Sequence, residues 1–126
     1  MLPREVEKLF TYANELLEAA EHEADRSAED VVTHLICTNS RLSLTNYLTG
    51  FLYQQDERPE APVSLQSLLD QCRQHDARFD QIDLSPVNCR CQTEGDDYCL
   101  DLDKVVDCLK VAQLTRSVVM AKIPGF

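Results

Sequence analysis

The amino-acid sequence predicts an all-α protein, an up-and-down four-helix bundle with room for a short extra helix. Apolar residues recur at three- and four-residue spacing along most of the chain, whereas no segment shows the strict alternation of a β-strand. The 126 residues include only 3 glycines and 5 prolines, which favours long uninterrupted helices. A chain of this length is expected to form a single domain, residues 1–126.

The first two predicted helices are the longest. The first runs from Pro3 to Asp25, because proline suits the first turn of a helix and an apolar stripe follows it. The second runs from Ser27, a suitable N-cap, to Gln55. The short break between them predicts antiparallel packing. We expect the second helix to be central because its apolar residues cover a broad arc, namely Val32, Leu35, Ile36, Leu42, Leu44, Tyr47, Leu48, Phe51 and Leu52.

The second half of the chain contains the shorter elements. Residues 54–62 form a solvated connection with two prolines, after which Ser64 caps a third helix that ends at His75. Residues 77–82 are expected to make one further short turn that anchors two apolar side chains. Residues 85–99 are predicted to be a crossing loop, and the last helix follows with its cap at Asp101 or Asp103.

Charge and composition exclude several classes of function. The formal net charge is −10, and neither half of the chain is basic, so the electrostatic footprint of a nucleic-acid-binding protein is missing. The first residues do not form a secretion signal, and the longest uncharged run, residues 42–55, is too short and too polar to span a bilayer. We therefore expect a soluble, cytoplasmic protein without a membrane partner, whose 6 cysteines are free thiols.

Two groups of residues have the chemistry of metal ligands. Cys89, Cys91, Cys99 and Cys108 could provide four thiolates for zinc, but their spacing differs from paired Cys-x-x-Cys motifs. Buried thiols are the favoured interpretation for these and for Cys37 and Cys72, and a zinc-stabilised interaction module is an alternative. Carboxylate–histidine pairs at four-residue spacing, Glu18 with His22 and Asp30 with His34, are more typical of surface interactions. No cofactor is predicted.

Polar residues interrupt the central helix around Arg41. A guanidinium in the groove of a bundle could hold a phosphate or a carboxylate with two hydrogen bonds. A solvated helix face, or hydrogen bonding across a dimer seam, is the competing and favoured interpretation. The polar residues concerned are Thr38, Asn39, Ser40, Arg41, Ser43, Thr45 and Asn46.

Three stretches of the sequence resemble a known family. The central helix carries NSR-x-x-x-x-NYL, the third helix lies within SLQSLLDQCRQHDARF, and the last helix lies within YCLDLDKVVDCLKVAQLTRSVV. Together, over about Glu15 to Met120, these stretches resemble the HEPN domains, also called nucleotidyltransferase substrate-binding domains. The resemblance implies a bundle of four or five helices in bacteria or archaea, commonly a homodimer, and many members are ribonucleases of toxin–antitoxin or defence systems.

The ribonuclease motif of that family is absent from this sequence. It consists of an Arg, a polar residue and a His four to six residues later, and His34 follows Arg26 too late to match. A degenerate ribonuclease that uses Arg26 and His34 is therefore the enzymatic alternative. Other members bind nucleotides or partner a minimal nucleotidyltransferase. The resemblance thus favours a non-catalytic homodimeric module, with a nucleotidyltransferase or antitoxin as partner. Apolar helix faces are expected to form the dimer seam, through the first or last helix. The ligand-binding residues would be Arg41, Asn39, Asn46 and Tyr47.

Overall fold

The structure, a computed structural model, describes residues 3–26, 32–87 and 102–121. Over these ranges it contains four α-helices and no β-strand, which confirms the all-α class. The helices are α1 (Pro3–Ala24), α2 (Thr33–Gln54), α3 (Leu65–His75) and α4 (Leu102–Ala121). Two short 3-10 helices, η1 (Ala77–Gln81) and η2 (Ser85–Val87), lie between α3 and α4.

Helices α1 and α2 pack antiparallel, as their short connection predicts. The Ser43 hydroxyl donates to the backbone carbonyl of Ala13 at 3.0 Å. Nearer the connection, the backbone N–H of Val32 donates to the Glu23 carboxylate at 2.8 Å. Residue numbers therefore rise along α2 as they fall along α1. At Gly50, which has no side chain, α2 leaves room for the buried phenyl ring of Phe10 on α1.

The predicted start of the second helix at Ser27 is wrong. Val32 occupies the N-cap position with an extended backbone (φ −96°, ψ 92°), and α2 begins at Thr33. Val32 has no side chain that could cap the helix, and its N–H group is instead satisfied by Glu23, which reaches across from α1. The sequence pattern shows local caps such as Ser27, but a cap supplied by another helix leaves no local signal.

Helix α3 has local signals at both of its ends, and the structure confirms them. The Ser64 hydroxyl accepts from the Ser67 N–H at 3.0 Å, and the Ser67 hydroxyl accepts from the Ser64 N–H at 2.9 Å, which is a capping box at the start of α3. Helix α3 ends at His75, as predicted. At the end of α2, Asp56 adopts a left-handed backbone (φ 58°), and the N–H of Glu57 donates back to the Leu52 carbonyl at 2.9 Å. Of the two caps predicted for the last helix, Asp103 lies inside α4 and Asp101 lies outside the described residues.

Helix α2 is central, since it contacts α1, α3 and α4. Its inner side is wholly buried and includes Leu44, Leu48 and Phe51. The breadth of its apolar arc nevertheless has a different cause from the one predicted. Three of its members are exposed rather than packed on neighbouring helices: Val32 at 45%, Leu35 at 44% and Leu42 at 43%.

The cysteines depart from the prediction of free thiols. Cys37 is disulfide-bonded, and its partner lies outside the described residues. Cys72 and Cys108 are free and buried in the core, as the sequence predicts for both. Among the described helices, none has the length and hydropathy needed to cross a membrane.

Candidate functional site

Arg41 of α2 lines a cavity of about 390 Å³. The cavity lies where α2 meets the first turn of α3 and the segment that leads into η2. Its volume is in the range of sites that hold small molecules. The other lining residues are Leu65 and Gln66 from α3, and Asp83, Leu84, Ser85 and Val87 from the following segment.

The cavity contains one acidic side chain opposite its basic one. The Asp83 carboxylate accepts hydrogen bonds from the Ser85 hydroxyl at 2.7 Å and from the Ser85 N–H at 2.9 Å. These bonds lower the pKa of Asp83 below its ordinary value, so this carboxyl group is charged at neutral pH. A ligand of the cavity therefore meets a positive and a negative charge rather than a purely cationic site.

Arg41 also faces the last helix. Burial raises the pKa of the Cys108 thiol on α4 to about 11, and the positive charge of Arg41 acts against this rise. Arg41 is half-buried, so its charge is partly shielded from water and acts more strongly on its neighbours than a fully exposed charge would. This position between α4 and the cavity suits a residue that orients an anion rather than one that only solubilises the surface.

Arg73 of α3 fixes the segment that carries Asp83. Its Nη2 atom donates to the Ile82 carbonyl at 2.8 Å, and its Nε atom lies 3.7 Å from the Asp80 carboxylate. Ile82 is buried, which anchors the segment from the other side. Sequence reasoning did not find Arg73 or Asp83 as site residues, because their relation to Arg41 depends on packing between distant parts of the chain.

The polar residues near Arg41 do not form one strip. The Tyr47 side chain is completely buried beside Phe10, with ring centroids 6.5 Å apart, and its hydroxyl donates to Asn14. Burial raises the pKa of Tyr47 to about 12. Ser40 is also completely buried, and among the described residues its hydroxyl has no hydrogen-bond partner. A single solvated face is therefore not the explanation for these residues.

Of the four residues predicted to bind a ligand, only Arg41 is among the described residues that line the cavity. The side-chain amide of Asn46 donates to the Leu42 carbonyl at 2.7 Å, on the outward side of α2. Helix residues five apart point to different sides, which separates Asn46 from Arg41. Asn39 is half-buried on α2 and Tyr47 faces α1. A direct role of Asn39, Asn46 and Tyr47 in binding stays a prediction.

A second polar cluster, which the sequence did not reveal, joins α1 to α4. Gln113 donates to the Glu21 carboxylate at 2.8 Å, and Arg116 pairs with the same carboxylate at 3.4 Å. Arg116 and Glu21 both act on the pKa of Tyr47, the former lowering it and the latter raising it. Arg116 and Glu21 therefore lie close enough to the buried tyrosine to act on its pKa, and the cluster ties α1 to α4.

The two residues of the degenerate ribonuclease hypothesis lie on either side of the α1–α2 connection. Arg26 donates to the buried Glu23 carboxylate at 3.3 Å, and this carboxylate also caps α2. The Val32 N–H, followed by Arg26, lowers the pKa of Glu23. His34 lies within 3.3 Å of the Thr38 hydroxyl on the exposed side of α2. The Arg26 guanidinium is thus engaged in a structural pair that stabilises the helix start.

Half of the predicted metal ligands lie outside the described residues. Cys89, Cys91 and Cys99 lie outside the described residues, as does Asp30. Cys108 is buried, with a thiol pKa of about 11, and is therefore protonated at neutral pH. Within residues 3–26, 32–87 and 102–121, no three His, Cys, Asp or Glu side chains are grouped as metal ligands.

Comparisons with protein-family models, with curated protein sequences and with solved structures give no match for this chain. Membership of the HEPN family stays a prediction. The geometry of the cavity around Arg41 is therefore the basis on which a function can be argued.

Proposed function

We propose that this chain is a non-catalytic, HEPN-like helical module that binds a nucleotide or another small anion in the cavity lined by Arg41. The observation that carries the proposal is the half-buried guanidinium at a cavity of about 390 Å³. Arginine presents several N–H donors in a planar fork that matches phosphate and carboxylate groups. The Gln66 side chain and the Ser85 hydroxyl line the same cavity.

Asp83 narrows the class of ligand. Its charged carboxylate repels a polyanion, so a triphosphate is less suited to the cavity than a ligand with a single phosphate. A carboxylate accepts hydrogen bonds from hydroxyl and amino groups, which ribose and the nucleobases supply. A nucleoside monophosphate, with its phosphate at Arg41 and a donor group at Asp83, therefore fits the two charges best.

A thermal-shift experiment tests this proposal. At a ligand concentration of about ten times the dissociation constant, binding stabilises the folded state by about 1.4 kcal/mol. We expect a millimolar nucleoside monophosphate to raise the midpoint more than the triphosphate does, and Arg41→Gln to abolish the rise. Arg58→Gln, a change at an exposed arginine away from the cavity, is the control and should preserve it. A flat response of the wild-type protein to all the nucleotides contradicts the proposal.

The remaining parts of the hypothesis concern partners and arrangement. The proposal keeps the up-and-down order of the four helices, a cytoplasmic location and a minimal nucleotidyltransferase or an antitoxin as the protein partner. Support comes from the family resemblance and, for the helix order, from the antiparallel contacts of α1 and α2. Co-purification with a nucleotidyltransferase encoded by a neighbouring gene would test the partner directly.

A further inference from the structure

The outward side of α2 is apolar although it lies at the surface. Leu35 and Leu42 are exposed by 44% and 43%, and Val32, just before the helix, by 45%. They lie on the side of α2 opposite to the buried Leu44 and Leu48. When exposed apolar residues line up on one helix, they more often mark an interaction surface than arise by chance.

These residues belong to a regular pattern that runs the length of the helix. Starting at Val32, the positions advance by three and four residues in alternation, which is the heptad repeat of a helix that pairs with another helix. The leucines occupy the d positions, and two asparagines occupy a positions. We call this pattern the outer seam; it consists of Val32, Leu35, Asn39, Leu42, Asn46, Thr49 and Tyr53, of which Tyr53 also packs partly against the core.

The charge of the chain indicates what covers the outer seam. The net charge is −10, with 22 acidic residues in the sequence, yet none of the acidic residues lies between Thr33 and Gln54. All members of the outer seam are uncharged. Within the seam itself, two copies of this acidic chain therefore bring no like charges face to face, whereas a strongly charged partner would find no complementary charge there.

We propose that two copies of this chain pair through their outer seams, with the two α2 helices parallel about a two-fold axis. In this arrangement, a positions face a positions, so Asn39 of one copy meets Asn39 of the other and the amides can bond each other. A single asparagine at an a position is known to fix register and oligomer state in parallel pairs. An antiparallel pair would instead place Asn39 against a d position, such as that of a leucine, and bury its side-chain amide without a partner amide.

This pairing replaces the first or last helix as the expected dimer surface, and it does not depend on anion binding. Arg41 faces the cavity between α2, α3 and the segment before η2, away from the outer seam. The seam can therefore be occupied while the cavity stays open. Loss of pairing and loss of nucleotide binding are separable outcomes.

The dimensions of the outer seam predict a concentration-dependent dimer. A helix of 22 residues is about 33 Å long and about 10 Å wide. One such stripe covers about 330 Å² per copy, less than half of the roughly 800 Å² typical of stable interfaces. Pairing should therefore be in exchange with the monomer and visible only when the protein concentration is varied widely.

Sedimentation equilibrium between about 5 μM and about 500 μM tests the proposal, a range chosen for the weak affinity that a small interface gives. We expect the wild-type chain to shift from monomer towards dimer across this range. Leu42→Glu places two carboxylates face to face at the seam and should weaken pairing at least about tenfold. Val63→Glu changes an apolar residue that is even more exposed, at 58%, but lies off the seam, and it should leave pairing unchanged.

Two results would overturn the proposal: a wild-type monomer at the highest concentration, or equal weakening by Val63→Glu and Leu42→Glu. Circular dichroism of both variants separates loss of pairing from loss of helix. Orientation is measured with a spin label, introduced through an unnatural amino acid at the exposed Gln54. Parallel helices place the two labels within about 20 Å, whereas antiparallel helices centred near Leu42 separate them by more than about 30 Å. The longer distance refutes the parallel arrangement.

Discussion

Replacing Gly50 with alanine is the sharpest test of how α1 and α2 fit together. A Cβ atom at this position would lie 2.7 Å from Cε1 of Phe10 and 3.1 Å from its Cδ1. Ordinary carbon contacts are about 3.5–4.0 Å, so the ring or one of the helices has to move by roughly 1 Å. Phe10 is completely buried and packs against Tyr47, so the ring cannot turn away into solvent.

Two effects of opposite sign determine how much Gly50→Ala changes the free energy of unfolding. Alanine is more favourable than glycine inside a helix by about 0.8–1.0 kcal/mol. Adding a methyl group to a close-packed core costs about 1–3 kcal/mol. We expect the packing cost to exceed the helix gain, with a net loss of about 1 kcal/mol in the free energy of unfolding. For a chain of this size the loss corresponds to a fall of about 3–5 °C in the melting temperature.

Urea denaturation of a double-mutant cycle provides the measurement. Phe10→Leu should destabilise the protein when made alone, but it should destabilise the Gly50→Ala variant less, because the smaller side chain makes room for the new methyl group. We expect a coupling of at least about 0.5 kcal/mol. Thr49→Ala, at a neighbouring half-buried position, measures the gain in helix propensity without the clash. A Gly50→Ala variant that is more stable than wild type, or a coupling near zero, refutes the close approach.

Four further measurements follow from individual groups. The folded-state pKa of Glu23 lies below its ordinary 4.5, so the stability that its charge contributes is complete above pH 4.5 and is lost as the pH falls through the lowered pKa. In thermal unfolding between about pH 7 and about pH 3, the melting temperature of Glu23→Gln should therefore fall less than that of the wild-type protein. Burial raises the thiol pKa to about 12 in Cys72 and to about 11 in Cys108, so neither thiol should react with a maleimide before the protein unfolds. Peptide mapping without reduction should find Cys37 in a disulfide. Tyr47→Phe removes the hydrogen bond to α1 and should cost about 1 kcal/mol in urea denaturation; an unchanged midpoint would show that water replaces this bond.

The sequence predicts those parts of the fold whose causes are local. Helix α1 occupies Pro3–Ala24 against a prediction of Pro3 to Asp25, and the cap at Ser64 and the end of α3 at His75 are confirmed. The short turn after α3 is also confirmed, as the 3-10 helix η1. Each of these depends on a proline, a serine or an apolar repeat within a few residues of the feature itself.

Features that depend on contacts between distant residues could not be predicted. The start of α2 is set by Glu23, a residue of another helix, across nine positions of the chain. The cavity combines Arg41 with Asp83, and the polar cluster over Tyr47 joins Glu21 to Arg116. None of these pairs has a recognisable spacing, because their separation along the chain depends on loop lengths rather than on the helical repeat.

The outer seam shows why apolar patterning alone misplaced part of the core. A helix that is apolar on both sides is ordinarily buried on both sides. The apolar pattern of α2 therefore predicts that Leu35 and Leu42 contact neighbouring helices. In the structure, α1, α3 and α4 contact α2, while these two leucines stay exposed. Leucines that stay 43–44% exposed contribute less burial to the folding of one chain than core leucines do, and they raise the risk of non-specific association. Their regular heptad spacing and the asparagines between them supply what non-specific association lacks, a defined register. Self-pairing through α2 therefore accounts for both the exposed leucines and the polar residues that interrupt them.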